Sequence, residues 1–281
     1  MTPLPQRAAD PPTPARAGDF LGSSQAHISP QARETGALLI AWTGANVQMT
    51  PPPQPPRSRA GGGKRKAIVG FSKHSRRRIL RLMGSIDQQA PLPLFVTLTY
   101  PAKYPTARQS KIHLDRLLKR IARKYPRAAG VWRLEAQKRG APHYHLLIWN
   151  EAYIPHQWIA EAWYAIVGSL DPRHLSAGTQ TCRSRAFRQV WHYTSKYLAK
   201  PTENAVGDSW DNPGRFWGIF NRELLPLSET AEFPLSDRAY YNLRRAMWRA
   251  RRARVKFSTP ASVHHFAGNA KRWLQYAVFL S

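Results

Sequence analysis

The sequence predicts an α+β fold, with helices packed on a mixed or antiparallel sheet. Strand-like and helix-like stretches alternate between Ala67 and Phe220. In the middle of that alternation two strand-like runs, 131–137 and 143–149, follow each other directly. Lys138-Arg139-Gly140-Ala141-Pro142 joins them with hairpin-turn chemistry. A parallel pair needs a long crossover, so this neighbouring pair points to antiparallel strands.

Order is expected to begin near Lys64. Residues 67–72 have strand character. Residues 73–86 read as a basic helix with Ile79, Leu80, Leu82 and Met83 on its apolar side. The run LFVTLTY, 94–100, is rich in aromatic and β-branched residues, which marks a strand. Ser110 is placed to cap a helix through Tyr125, with Leu114, Leu117, Leu118 and Ile121 at helical spacing and Pro126 beyond. Residues 155–167 read as a helix with Trp158, Ile159, Ala162, Trp163 and Ile166 on one face, and Gly168 lies past its end. A strand over 179–183, a helix over 187–200 ended by Pro201, and a short strand over 215–220 complete the pattern. Beyond Pro226 a helix-rich piece is expected, with Ser236 capping a helix to about Lys256.

These elements divide the chain into three parts. Residues 1–63 hold 11 of the 24 prolines, with a Pro51-Pro52-Pro53-Gln54-Pro55-Pro56 run and a Gly61-Gly62-Gly63 run, and read as a largely disordered arm. Within it, the apolar piece 37–42 is a candidate for docking elsewhere. Residues 64–225 form the α+β domain, and 226–281 a basic helical extension.

The 281 residues carry 43 Lys and Arg against 16 Asp and Glu, a formal net charge of +27. A polyanionic partner follows, because basic side chains laid on phosphates release condensed counterions. No apolar run is long enough to span a bilayer. No basic segment followed by an apolar one opens the sequence. The single cysteine, Cys182, excludes an intrachain disulfide and a cysteine-rich zinc site. Together these point to a cytoplasmic protein without membrane association.

The densest chemistry surrounds the hairpin. His143 and His145 project to one face of a strand, because side chains alternate. Glu135 joins them if the loop has an odd residue count. Centring the turn on Gly140 pairs Glu135 with His145, and centring it on Arg139 pairs Glu135 with His143. An even loop puts Glu135 on the wrong face, and the constellation fails. Two imidazoles and a carboxylate with open positions suit Mg²⁺ or Mn²⁺ when phosphate oxygens complete the shell, or Zn²⁺ as in hydrolases. A lone His-x-His is common on ordinary strands. The coupled Glu135 and the turn are what give this one weight.

A second cluster is His192-Tyr193-Thr194-Ser195-Lys196-Tyr197-Leu198-Ala199-Lys200. On a helix, Val190, Trp191, Thr194 and Leu198 make an apolar arc beside Tyr193, Lys196, Tyr197 and Lys200. The tyrosines then sit one above the other, about 6 Å apart along the axis. A tyrosine hydroxyl, with an ordinary pKa of about 10, is a poor nucleophile at neutral pH. A nearby Lys⁺ favours the phenolate or holds the substrate, and a cation on the phosphate oxygens eases in-line attack. A single tyrosine beside an apolar arc usually reflects packing. The repeated Tyr-x-x-Lys is harder to explain that way.

Phe95-Val96-Thr97-Leu98-Thr99-Tyr100, Pro142-His143-Tyr144-His145 and Tyr193-Thr194-Ser195-Lys196-Tyr197, in that order, resemble the three motifs of the HUH endonuclease superfamily. The resemblance is to its two-tyrosine rolling-circle replication initiators of phages and plasmids. It covers roughly Lys66 to Phe220, and Gly214-Arg215-Phe216-Trp217-Gly218 fits the region after the tyrosine helix.

The resemblance implies an antiparallel, RRM-like sheet with the histidines on a central strand. It implies His143 and His145 as ligands of Mg²⁺ or Mn²⁺, with Glu135 as the third. Tyr193 would be the first nucleophile and Tyr197 its partner, assisted by Lys196 and, more weakly, Lys200. The implied activity is nicking and rejoining of single-stranded or hairpin origin DNA through a 5′-phosphotyrosine. A host polymerase would extend the free 3′-hydroxyl. No Walker-type sequence is present, so an external helicase would unwind the duplex. Lys73, Arg76, Arg77, Arg78 and Arg81 are candidate DNA contacts. Competing readings are a two-tyrosine transposase or mobilisation relaxase, a non-catalytic RRM-like nucleic-acid-binding protein, and a metalloenzyme acting on another phosphate ester.

Overall fold

The computed structural model describes residues 39–43, 46–49, 68, 70–87, 89–150, 153–183, 190, 210–252 and 265–267. Its main body is an α+β unit built on a five-stranded, wholly antiparallel sheet. The helices are α1 (Lys73–Gly84), α2 (Ala107–Lys124), α3 (His156–Val167), α4 (Pro172–Ala177) and α5 (Asp237–Arg252). The main sheet comprises β3 (Leu94–Leu98), β4 (Ala129–Ala136), β5 (Pro142–Trp149), β6 (Thr179–Arg183) and β7 (Trp217–Phe220), in the order β6-β3-β5-β4-β7. The histidine strand β5 is therefore the central one. No helix among the described residues is long and apolar enough to cross a membrane.

Strand β5 reads the two faces of this sheet. Tyr144, Leu146 and Ile148 point to one side, where Leu117 and Ile121 of α2 and Ile159 and Trp163 of α3 close a continuous core. His143, His145, Leu147 and Trp149 point to the other. There Leu147 and Trp149 pack with Phe95, Val131 and the α1 residues Ile79, Leu82 and Met83. Helix α1 thus covers only the end of this face away from the hairpin turn.

Two helix starts follow cap chemistry. Ser72 accepts from the Ser75 N–H at 3.1 Å and starts α1. The described residues of 67–72 are accordingly not a strand, because the segment ends as a cap. Helix α2 starts earlier than Ser110. Thr106 Oγ1 accepts from the Gln109 N–H at 3.2 Å, and Gln109 Oε1 accepts from the Thr106 N–H at 3.3 Å. That reciprocal capping box satisfies two end donors, where Ser110 alone would satisfy one. Ser110 is instead buried inside the helix, 2.7 Å from the Tyr144 hydroxyl.

A second antiparallel sheet has the order β8-β1-β2-β9, from β1 (Leu39–Thr43), β2 (Asn46–Met49), β8 (Thr230–Pro234) and β9 (His265–Ala267). Two of its strands fall within the arm read as disordered, and two within the extension read as helical. No proline occurs between Pro30 and Pro51, and Leu39, Ile40, Trp42, Thr43 and Val47 favour a pleated surface. Their partner lies far along the chain, with Thr43 opposite Thr230, so local composition does not reveal it.

Candidate metal centre and nucleophile face

The β4–β5 register answers the parity question. Glu135 stands opposite His143, and Arg133 opposite His145, so the turn is centred on Arg139 and all four share one face. The turn closes with the Gln137 N–H donating to the Ala141 carbonyl at 2.9 Å and the Gly140 N–H to the Gln137 carbonyl at 2.8 Å. Gly140 takes φ +81°, the left-handed position that a three-residue hairpin loop needs.

Three side chains tie the turn down. Arg139 donates to the carbonyls of Tyr100 and, at 2.7 Å, Pro101. The Tyr104 hydroxyl donates to the Arg139 carbonyl at 2.7 Å. The Trp210 indole N–H donates to the Gly140 carbonyl at 2.8 Å. A one-residue slip would break these bonds together, which holds the odd register.

On the shared face, His145 Nε2 lies 3.0 Å from Glu135 Oε2, with side-chain exposures of 5% and 13%. The rings of His143 and His145 meet edge to face, with centroids 4.5 Å apart. Thr99 Oγ1 lies 3.3 Å from His143 Nδ1. Burial pushes the His143 pKa down to about 4, helped by His145 and opposed by Glu135. His143 is therefore a neutral imidazole at physiological pH, with a lone pair for an electrophile.

The donor set, two imidazoles and a carboxylate, is chemically suited to a divalent cation. Among the described residues, no group of three or more His, Cys, Asp or Glu is preassembled around one metal position. A cation entering between His145 and Glu135 would replace the hydrogen bond they now share.

Support for the histidines comes from residues to which sequence reasoning assigns no role in the site. The Thr99 carbonyl accepts from the Trp163 indole N–H at 2.8 Å and lies 2.8 Å from His174 Nε2. Helices α3 and α4 thereby hold the residue whose hydroxyl touches His143. Trp163 reads only as core from the sequence, and a histidine eleven residues further along carries no spacing signal. Arg133 carries no signal either. It is fully buried, stacks 3.8 Å over the Phe71 ring and donates to the Phe216 carbonyl at 3.1 Å. Burial lowers its pKa to about 9, partly opposed by Glu135.

The expected basic contacts lie on α1, where Lys73, Arg76, Arg77, Arg78 and Arg81 are all exposed. Since α1 packs on Leu147 and Trp149, these cations flank the histidine face. Arg78 sits 5.9 Å over the Trp217 ring. Tyr193, Lys196, Tyr197 and Lys200 lie outside the described residues. Val190, just before them, is described: it is helical, 2% exposed and packed in the cluster on the histidine face.

Residues 93–202 match a family model of replication-associated proteins, described as the ORF2/gene-two-protein type. The matched span runs from the start of β3 through β6 and includes the candidate nucleophile segment. The chain is also 26% identical over 240 residues to the replication-associated gene-two protein of Pseudomonas phage Pf3, covering 80% of this chain and 83% of that protein. The hairpin site thus lies in a segment similar to replication-associated proteins of this type, and the likeness to the phage protein spans most of both chains.

Proposed function

We propose that the protein initiates rolling-circle DNA replication by nicking one strand through a tyrosine and retaining its 5′ end. One observation carries this reading: Glu135, His143 and His145 share a sheet face on which Val190, three residues before Tyr193, is buried. The similarity to replication-associated proteins supports the setting.

In this reading His143, His145 and Glu135 would hold Mg²⁺ or Mn²⁺, which would neutralise charge on the scissile phosphate. Thr99, donating or accepting at His143 Nδ1, fixes the ring so that its other nitrogen faces the site. The Tyr193 oxygen attacks phosphorus in line. The bond to the 3′ oxygen breaks, and the proton lost by the tyrosine balances the 3′-hydroxyl that leaves. Tyr197 serves a second transfer, and Lys196 and Lys200 favour the phenolate or grip the phosphate. The basic residues of α1 guide single-stranded or hairpin origin DNA, while polymerase and helicase come from the host.

The test is incubation with Mn²⁺ and an end-labelled single-stranded origin hairpin, followed by denaturing electrophoresis. A protein–DNA band is expected, lost in the Tyr193→Phe plus Tyr197→Phe variant. Persistence of the band in that variant overturns the nucleophile assignment. His143→Ala is expected to abolish the band while salt-sensitive binding persists, and undiminished cleavage by it overturns the metal assignment.

A further inference from the structure

Helix α5 takes no part in the hairpin site, yet it is built with two sharply different sides. It buries Ala239, Tyr240, Leu243 and Met247. At 3.6 residues per turn these four fall within an arc of about 100°. Arg238, Tyr241, Arg245 and Arg249 are all exposed. Their spacing of three, four and four residues confines them to an arc of about 80° on the opposite side, along a ridge about 16 Å long.

The rings of two neighbouring tyrosines meet edge to face, with centroids 5.3 Å apart, yet they differ in exposure. Tyr240 is fully buried, while Tyr241 is 48% exposed and stands in line with the arginines. Among the described residues no ion pair reaches Arg238, Arg245 or Arg249. No acidic residue follows Asp237 in the sequence. A row of like charges repels itself, and a row of phosphates relieves that repulsion. An exposed aromatic set among cations adds a stacking surface for an unpaired base, which duplex DNA does not offer.

We infer that Arg238, Tyr241, Arg245 and Arg249 form a second single-stranded DNA contact, separate from the hairpin site. The arginines take consecutive phosphates and Tyr241 stacks on a base. The inference rests on the proposed function for the identity of the nucleic acid as DNA.

The test is fluorescence anisotropy of the full chain with a labelled oligo-dT strand across a salt series. The triple variant Arg238→Ala, Arg245→Ala, Arg249→Ala is compared with a charge-matched control, Arg116→Ala, Arg120→Ala, Arg123→Ala, on the exposed side of α2. Losing three phosphate contacts is expected to flatten the slope of log K against log salt by about 2 and weaken binding at least about tenfold. Tyr241→Ala is expected to weaken single-strand binding about fivefold or more without changing the slope, and Tyr241→Phe to restore it.

Equal loss in the α5 and α2 variants overturns the inference. So does full affinity in Tyr241→Ala, which removes the stacking contact without touching charge. If the triple variant fails to unfold cooperatively, the double variant Arg245→Gln, Arg249→Gln carries the same comparison. Wild-type binding without a covalent DNA band defeats the nicking reading and leaves the α5 contact standing. No binding by the wild type defeats both.

Discussion

The two faces of the central sheet are made by the same strands and do opposite things. On one, Tyr144, Leu146 and Ile148 of β5 meet α2 and α3 in an unbroken core. On the other, the same strand places Leu147 and Trp149 under α1 and leaves His143 and His145 beside Glu135 near the turn. A polar substitution at Leu146 or Ile148 is costly, because both are buried away from water. The histidine face keeps polar groups half-enclosed, each satisfied by a neighbour: His145 by Glu135, His143 by Thr99. One face is a sealed core, and the candidate site lies on its back.

That division can be broken in three graded ways. The largest expected effect is on the sealed face. Leu146→Ala is expected to lower stability by about 2–5 kcal/mol, measured by urea denaturation, because it opens a cavity in the core. Any cleavage it loses should track the unfolded fraction and return at lower temperature. A loss of cleavage in fully folded protein would mean the faces are not separable.

Thr99→Val comes next. It keeps the shape of the side chain and removes the hydroxyl 3.3 Å from His143 Nδ1. Metal affinity, read from the Mn²⁺ dependence of cleavage, is expected to fall about 10-fold or more, with the unfolding midpoint nearly unchanged. An unaltered Mn²⁺ dependence would remove Thr99 from the site.

The smallest effect is expected for Gly140→Ala. A side chain at φ +81° costs about 1–2 kcal/mol, and the bonds to Arg139 and Trp210 should preserve the register. Stability should fall while cleavage by folded protein persists. Lost cleavage in folded protein would show that the turn's hold on the register is weaker than its three ties suggest.

The hairpin is legible in the sequence because two strand-like runs flank a short turn marked by Gly140 and Pro142. Its register is not, because two odd pairings satisfy the same local pattern. The contacts that choose between them come from Tyr100, Pro101, Tyr104 and Trp210, which are distant in sequence. The start of α2 is misread for a similar reason. Ser110 has the right cap chemistry, but Thr106 with Gln109 satisfies two end donors, and Tyr144 claims the Ser110 hydroxyl. Strand β1 shows in the sequence only as the apolar piece 37–42, and its pairing with β8 does not show at all, because Thr43 and its partner Thr230 lie far apart along the chain.

The residue order alone therefore determined the α+β class, the central hairpin and the pairing of a basic surface with a His-x-His strand. These depend on periodicity and composition, which are local properties of the chain. Only the tertiary structure decided that Glu135 faces His143, that Thr99 is held by Trp163 and His174, and that Tyr240 is buried while Tyr241 is exposed. Each of these depends on which distant group occupies the space beside a side chain, and that is set by packing.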